Sequence, residues 1–361
     1  MAKKILVVDD SALMRRVLCD IINSDERFQV VARATNGLEA FDLLSRNEYD
    51  AVVLDVNMPK MNGLQLLDEL RKFKIRARVM MASTDTREGA QTTLDALELG
   101  ALDFIHKPDT AMECRVDTFR EQLLRTLDVV ANSAYPVFES REKILESRKT
   151  TVKMVDIAKK FSAKISPGSK IVAIASSTGG PKALQSVIPR LPAQLDAPVL
   201  IVQHMPKGFT ASLAERLNTL SGLNVKEAAE GDELKAGTVY IAMGGMHMHV
   251  VTSPAGKTTI HYTDEPSREG VKPCANYMYE SLADCKYDKI VCVVMTGMGA
   301  DGTVGIKNLE AKKSIHVITQ NQETCAVYGM PKSAVNAGLS DQVVALEQIA
   351  QEIILNVGVK A

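Results

Sequence analysis

The sequence predicts an α/β protein of two domains, each built on a parallel sheet. Three observations carry that expectation. The chain has 361 residues, and one domain per ~150 residues makes two domains, or two with a long connector, the first expectation. Short β-branched runs alternate with apolar residues at helical spacing in two separate stretches, a pattern that builds parallel sheets with helices on both faces. Between those stretches, from about 126 to 168, the alternation stops.

In the first stretch, 1–125, KKILVVDD (3–10), FQVVARA (28–34), YDAVVLD (49–55), RVMMAS (78–83) and LDFIHK (102–107) read as buried strands. Helical spacing marks 13–22, 38–46, 64–72, 90–99 and 116–130. Five such units fit a flavodoxin-like domain, whose ligands gather at the carboxyl ends of the strands. The segment 126–168 reads as a linker, partly helical at first. Residues 139–170 hold nine Lys or Arg against four Asp or Glu and include Ser166-Pro167-Gly168. Such a balance fits a solvated linker, and also a docking segment for an acidic partner.

In the second stretch, 169–361, strands are expected at 170–175, 197–203, 238–243, 249–253, 289–295 and 314–320. Helices are expected at 181–189, 209–219, 273–284, 302–311 and 344–356, which makes a doubly wound α/β domain.

Lys plus Arg total 43 against 44 Asp plus Glu, so the basic excess of a nucleic-acid binder is missing. Apolar residues at 46% and charged residues at 24% suit folded cores. With eight Phe, eight Tyr and no Trp, those cores must be aliphatic. The apolar run after Lys3 and Lys4 is soon interrupted by Asp9 and Asp10, so it is no secretory signal. The uncharged stretch 236–256 contains Gly237, Gly244, Gly245 and Pro254 and reads as strands and turns rather than a membrane span. Six cysteines form no C-x-x-C pair, which suggests buried thiols in a reducing cytoplasm.

Asp9 and Asp10 close the first strand, Asp55 the third, Ser83 the fourth and Lys107 the fifth. In a parallel sheet these side chains meet at one rim. Three carboxylates in one pocket repel each other unless a hard cation neutralises them, and the set suits Mg²⁺. A lysine opposite supplies a compact charge for phosphoryl oxygens. VVDD, LDVNMP, MAS and Lys107-Pro108, in this order, resemble the receiver domain of response regulators. That resemblance implies a phosphoacceptor at Asp55, Mg²⁺ held by Asp10 and Asp55 with Asp9 in support, and a histidine kinase as phosphodonor. It also implies a switch built from Ser83, Lys107 and the aromatic Phe104.

In the second domain, KIVAIASSTGGPKAL is a strand, a small-residue turn and a helix whose expected first residue is Pro181. The turn fits a nucleophilic serine, a phosphate cradle or a simple tight turn, and the nucleophile-elbow consensus G-x-S-x-G is absent. His204 follows the strand APVLIVQ, at another carboxyl end. His247 and His249 form an H-x-H pair with no third metal ligand evident, while His106, His261 and His316 have no identifiable partner.

Gly297-Met298-Gly299-Ala300-Asp301-Gly302 matches the dinucleotide fingerprint in its local context. The following strand, however, ends Thr319-Gln320-Asn321 with no acid for a ribose, and Asp301 would repel a pyrophosphate. Were Asp301 to meet His204 Nδ1 instead, Ser177, His204 and Asp301 would form a nucleophile, a base and an orienting acid.

AIASSTGGP, VQHMPKGFTASLAERLN and MTGMGADGTVGI are similar to the signature blocks of the chemotaxis protein-glutamate methylesterase family, CheB. The resemblance implies Ser177 as nucleophile, with Ser176 as a fallback, His204 as general base and Asp301 as its orienter. It implies support for the nucleophile and oxyanion from Thr178 and the Met298 N–H. Ala175 departs from the glycine common at that position and leaves the shape of the turn open. The implied activity is hydrolysis of glutamate γ-methyl esters, with deamidation of glutamines, on methyl-accepting chemoreceptors. No cofactor is implied for the ester chemistry, and neither nucleic acid binding nor membrane insertion is expected. A response regulator with a DNA-binding output domain is the competing class, and it lacks a helix-turn-helix signal here.

Overall fold

The computed structural model describes residues 1–83, 87–107, 117–133, 135 and 168–360. Two compact units divide the chain, Met1–Phe138 and Glu139–Ala361.

The first unit contains β1 (Lys3–Val8), α1 (Ala12–Asn23), β2 (Phe28–Ala34), α2 (Gly37–Arg46), β3 (Ala51–Asp55), α3 (Gly63–Lys72), β4 (Val79–Ser83), α4 (Arg87–Leu99), β5 (Asp103–His106) and α5 (Asp117–Asn132). Its five strands pair in parallel in the order β2-β1-β3-β4-β5. Every residue of β3 and β4 is buried, as continuous apolar runs require of strands covered on both faces. Polar caps begin three of the helices: Ser11 accepts from Met14 N–H, Asn36 from Leu38 and Glu39, and Asn62 pairs with Gln65 in a capping box. Short capped turns therefore fix the carboxyl rim of the sheet. Since β1 is flanked by β2 and β3, the chain direction across the sheet reverses there, and ligands bind at such switch points. Helix α5 continues to Asn132, into the range expected to begin the linker. The linker residues 136–167 lie outside the described residues, as does Cys114.

The second unit runs through β6 (Lys170–Ser176), α6 (Gly180–Val187), β7 (Val199–Gln203), α7 (Phe209–Leu220), β8 (Asn224–Glu227), β9 (Thr238–Ile241), β10 (His247–Thr252), β11 (Thr258–Thr263), α8 (Ala275–Ser281), β12 (Lys289–Val294), α9 (Thr303–Glu310), β13 (Ile315–Gln320), α10 (Met330–Asn336), β14 (Gln342–Val344) and α11 (Leu346–Val357). Seven strands form a parallel sheet in the order β14-β13-β12-β6-β7-β9-β8. Strands β10 and β11 make a separate antiparallel hairpin. The aliphatic core expected from composition is present: Ala173, Ala175, Leu200, Val202, Ile290 and Val294 pack on one face of the sheet, where Tyr279 is the largest wholly buried side chain.

Three strands and one helix escaped the sequence pattern. Strands β8 (NVKE) and β14 (QVV) are short edge strands with little apolar signal. Strand β11 (TTIHYT) buries only Ile260, and α10 is a seven-residue helix. The helix expected over 273–284 is α8 followed by a 3₁₀ turn at Leu282–Asp284.

Candidate active site and phosphoacceptor pocket

From β6 the chain proceeds to β7 on one side, while β12 returns on the other, so β6 is a second switch point. Register pairs Ser176 with Gln203 and Ala175 with Val294, which brings the ends of β6, β7 and β12 level. The turns that follow these strands carry Ser177, His204 and Asp301.

The serine turn is tied on both sides. Ser177 N–H donates to Thr296 O at 3.0 Å, and Gly180 N–H donates to Ser177 O at 2.7 Å. Gly179 adopts φ +74°, a left-handed conformation suited to glycine. Helix α6 begins at Gly180, so Pro181 is its second residue rather than its first. A Cβ on Gly180 would lie 2.0 Å from Gln203 Oε1, so any other residue there would have to displace that amide. The two serines differ sharply. Ser176 is wholly buried and donates its hydroxyl to Gln203 Oε1 at 2.7 Å, whereas Ser177 is half-buried on the rim.

His204 Nε2 meets Asp301 Oδ2 at 2.7 Å. The sequence reading expected Nδ1 in that contact. Asp301 is pinned at the start of α8, and the distal ring nitrogen is the one that reaches it, which leaves Nδ1 as the basic nitrogen. The carboxylate is 2% exposed. It accepts from Ala275 N–H at 2.6 Å, Asn276 N–H at 3.0 Å and the Cys274 thiol at 3.0 Å. The two N–H groups belong to the first turn of α8 and have no partner within the helix. Burial by itself would raise the Asp301 carboxyl, but the His204 contact and these donors outweigh it and hold the group below its ordinary value.

A further layer orients this cradle. Asn276 Oδ1 accepts from Gly302 N–H at 3.1 Å and Gly305 N–H at 2.6 Å, tying α8 to the start of α9. His247 Nδ1 accepts from Cys274 N–H at 3.2 Å, and its Nε2 faces Pro266 O at 3.2 Å. His249 bonds separately to Thr263 and Glu265, both at 3.0 Å, so the H-x-H pair does not share a ligand position. His261 contacts Glu230 and His316 contacts Gln342, partners that lie far away in sequence.

The glycine-rich loop after β12 also has a defined shape. Gly297 N–H donates to Val327 O, while Gly297 O accepts from Gly329 and Met330. Met298 follows, half-buried. Thr178 is buried, and its carbonyl accepts from Thr296 Oγ1 at 2.9 Å. With Asp301 turned inward and committed to His204, the loop carries a buried negative charge where a pyrophosphate would need N–H donors.

In the first unit, the ligand oxygens of Asp9, Asp10 and Asp55 lie within 4.8 Å of one another. Lys107 Nζ stands 2.6 Å from Asp55 Oδ1 and 3.1 Å from Asp9 Oδ2. Burial raises the Asp55 carboxyl above its ordinary value despite Lys107, with Asp9 adding to the rise. Hard oxygen donors gathered this closely fit a small divalent cation such as Mg²⁺. Ser83 closes β4 with its hydroxyl on Gly89 O at 3.3 Å, and Phe104 lies buried on β5 opposite Met81.

Comparison with known proteins bears on both units. A family model described as CheB methylesterase matches residues 172–353, and one described as response regulator receiver domain matches 5–115. Over 358 residues the chain is 42% identical to protein-glutamate methylesterase/protein-glutamine glutaminase 1 of Syntrophomonas wolfei, with 98% of each chain covered. The chain belongs to the CheB methylesterase family. Its relative in Bacillus subtilis, protein-glutamate methylesterase/protein-glutamine glutaminase, is 39% identical with 97% of each chain covered. The crystal structure of the Thermotoga maritima CheB methylesterase catalytic domain matches with 41% identity and a TM-score of 0.50, covering 52% of this chain and 97% of that one. A receiver domain therefore precedes a methylesterase domain, and both the dinucleotide-binding and DNA-binding readings are set aside.

Sequence reasoning missed the contacts that Gln203, Cys274, Asn276 and His247 make around Ser177, His204 and Asp301. Gln203 left a signal as a polar residue closing an otherwise apolar strand, and His247 as half of the H-x-H pair. Cys274 and Asn276 lie where the irregular segment 264–274 enters α8, and much of their part is played by backbone N–H groups.

Proposed function

We propose that the chain hydrolyses glutamate γ-methyl esters, and deamidates glutamines, on methyl-accepting chemoreceptors. Ser177 Oγ attacks the carbonyl, His204 Nδ1 takes the proton and returns it to departing methanol, and water then clears the acyl-enzyme. Asp301 holds the imidazole through Nε2–H and stabilises the cation that forms. The Met298 N–H and Thr178 support the oxyanion and the nucleophile's turn. The 2.7 Å contact of His204 with a buried, four-bonded carboxylate, on strands flanking that of Ser177, carries this reading.

Asp55 accepts a phosphoryl group from a chemotaxis histidine kinase, with Lys107 and the Ser83 hydroxyl meeting its oxygens and Phe104 following the change at the rim. Mg²⁺, held by Asp10 and Asp55 with Asp9 in support, supplies charge neutralisation for that transfer. The receiver spans 1–125 and the catalytic domain 169–361. Of the segment 126–168 between them, residues 126–132 complete α5. The enzyme works in the cytoplasm, where its phosphodonor resides, and no described helix is long and apolar enough to cross a membrane.

The test is methanol release from methylated receptor membranes, with and without a small phosphodonor. Release that requires Ser177 and rises with the phosphodonor supports the reading. Release that survives Ser177→Ala overturns it.

A further inference from the structure

The nucleophile's turn and the base's turn leave adjacent strands, and one buried side chain holds both. Gln203, 1% exposed, is the last residue of β7 and immediately precedes His204. Its Nε2 donates to Ser177 O at 3.0 Å and to His204 O at 3.2 Å, while its Oε1 accepts from Ser176 Oγ at 2.7 Å. The chemistry of the partners fixes the orientation of the amide, because both neighbours of the nitrogen are carbonyl oxygens that can only accept. Both amide protons and one oxygen lone pair are therefore spent on the two turns. No other side chain type of this length offers two donors and an acceptor in one plane, and a carboxylate would face the two carbonyls with acceptors alone.

We propose that Gln203 is a positioning residue for the esterase reaction, setting the distance and angle between the Ser177 nucleophile and the His204 base. This inference rests on the serine-esterase reading above. Gly180 supports it: a Cβ there would meet the Gln203 amide oxygen at 2.0 Å, so glycine leaves the amide its present place. Ser177 O also accepts from Gly180 N–H, so loss of the Gln203 donor does not leave that carbonyl unpaired; what the variant loses is the donor to His204 O and the linkage between the turns. No hydrogen bond joins Ser177 Oγ to His204 among the described residues, and in the absence of substrate such catalytic contacts are commonly long. Their closure to productive geometry then depends on how the two turns are held, and a misplacement of ~1 Å costs up to ~100-fold in rate.

The experiment uses the full chain, with methanol release from methylated receptor membranes across pH and covalent labelling of the serine by a fluorophosphonate. Gln203→Met keeps the length and loses both donors. It should lower kcat by about 10- to 100-fold with KM changed less than about threefold, and slow fluorophosphonate labelling in parallel.

Gln203→Glu distinguishes positioning from simple support of the fold. Protonated, the introduced carboxyl donates to one carbonyl and accepts from Ser176; ionised, it repels both carbonyls. Burial raises such a carboxyl, so the ratio of Gln203→Glu to wild-type kcat should fall with rising pH as the carboxyl ionises and loses its donor. A Gln203→Glu kcat equal to that of wild type across the pH range overturns the proposal, as does Gln203→Met with unchanged kcat. Persistence of labelling and turnover in Ser177→Ala overturns the serine-esterase reading instead, so the two failures are distinct.

Discussion

Replacing Asp301 by asparagine is an informative perturbation because the geometry dictates how the amide must sit. Oδ2 faces His204 Nε2 and Ala275 N–H, and Oδ1 faces Asn276 N–H and the Cys274 thiol. An amide nitrogen placed at Oδ2 would confront the Ala275 donor and force His204 to the tautomer with Nδ1 protonated, which is useless as a base. Placed at Oδ1, it confronts only the Asn276 donor, since the sulfur can accept. The amide oxygen should therefore stay on His204, keeping the tautomer but losing the charge. At the 2.7 Å separation and an effective dielectric of about 20, the lost attraction for the imidazolium is about 6 kcal/mol, or ~10⁴-fold in kcat.

Folding should weaken as well. One buried N–H left facing an amide nitrogen costs about 1–3 kcal/mol, which lowers the Tm of a domain this size by about 2–12 °C. Methanol release gives kcat, and calorimetry of the full chain gives the shift. A variant within tenfold of wild type would refute the charge argument. A kcat loss without any fall in Tm would refute the bonding scheme around the carboxylate.

Other perturbations test the remaining parts of the two sites. Ser177→Ala should lose about 10⁴-fold or more in methanol release, whereas Ser176→Ala, which removes only the bond to Gln203, should stay within about tenfold; equal losses would misassign the nucleophile. Lys107→Met leaves Asp9 and Asp55 buried without their lysine and should destabilise the receiver by about 3–5 kcal/mol in chelator, with Mg²⁺ restoring much of it in a thermal melt. Asp301 is held below its ordinary pKa, so its contribution to stability is present above the unfolded carboxyl value and is lost as pH falls through the folded one. Asp301→Asn should accordingly flatten the acid limb of the catalytic domain's stability in pH-dependent melts. A phosphodonor with Mg²⁺ should raise esterase activity severalfold, since a tenfold population shift needs only about 1.4 kcal/mol, and Asp55→Asn should abolish the response. The 169–361 fragment should be active without a phosphodonor; a fragment no faster than the unphosphorylated chain would show that the receiver does not act by inhibition.

Period and punctuation along the chain sufficed to determine two parallel α/β units, because buried parallel strands must be continuously apolar and their helices amphipathic. The same rule placed Asp9, Asp55, Ser177 and His204 at carboxyl ends of strands, since side chains at those ends share one rim whatever the strand order. Strand order itself is a property of helix packing across the sheet, and only the tertiary structure put β12, β6 and β7 side by side. Burial then separated Ser176 from Ser177, a distinction that two adjacent identical residues cannot express in sequence. The use of His204 Nε2 rather than Nδ1 followed from the position of α8, which anchors Asp301 through N–H groups that every residue type carries. Backbone donors leave no residue-specific mark on a sequence, and Gln203 acquires its function only when two turns distant in the chain come within reach of a single amide.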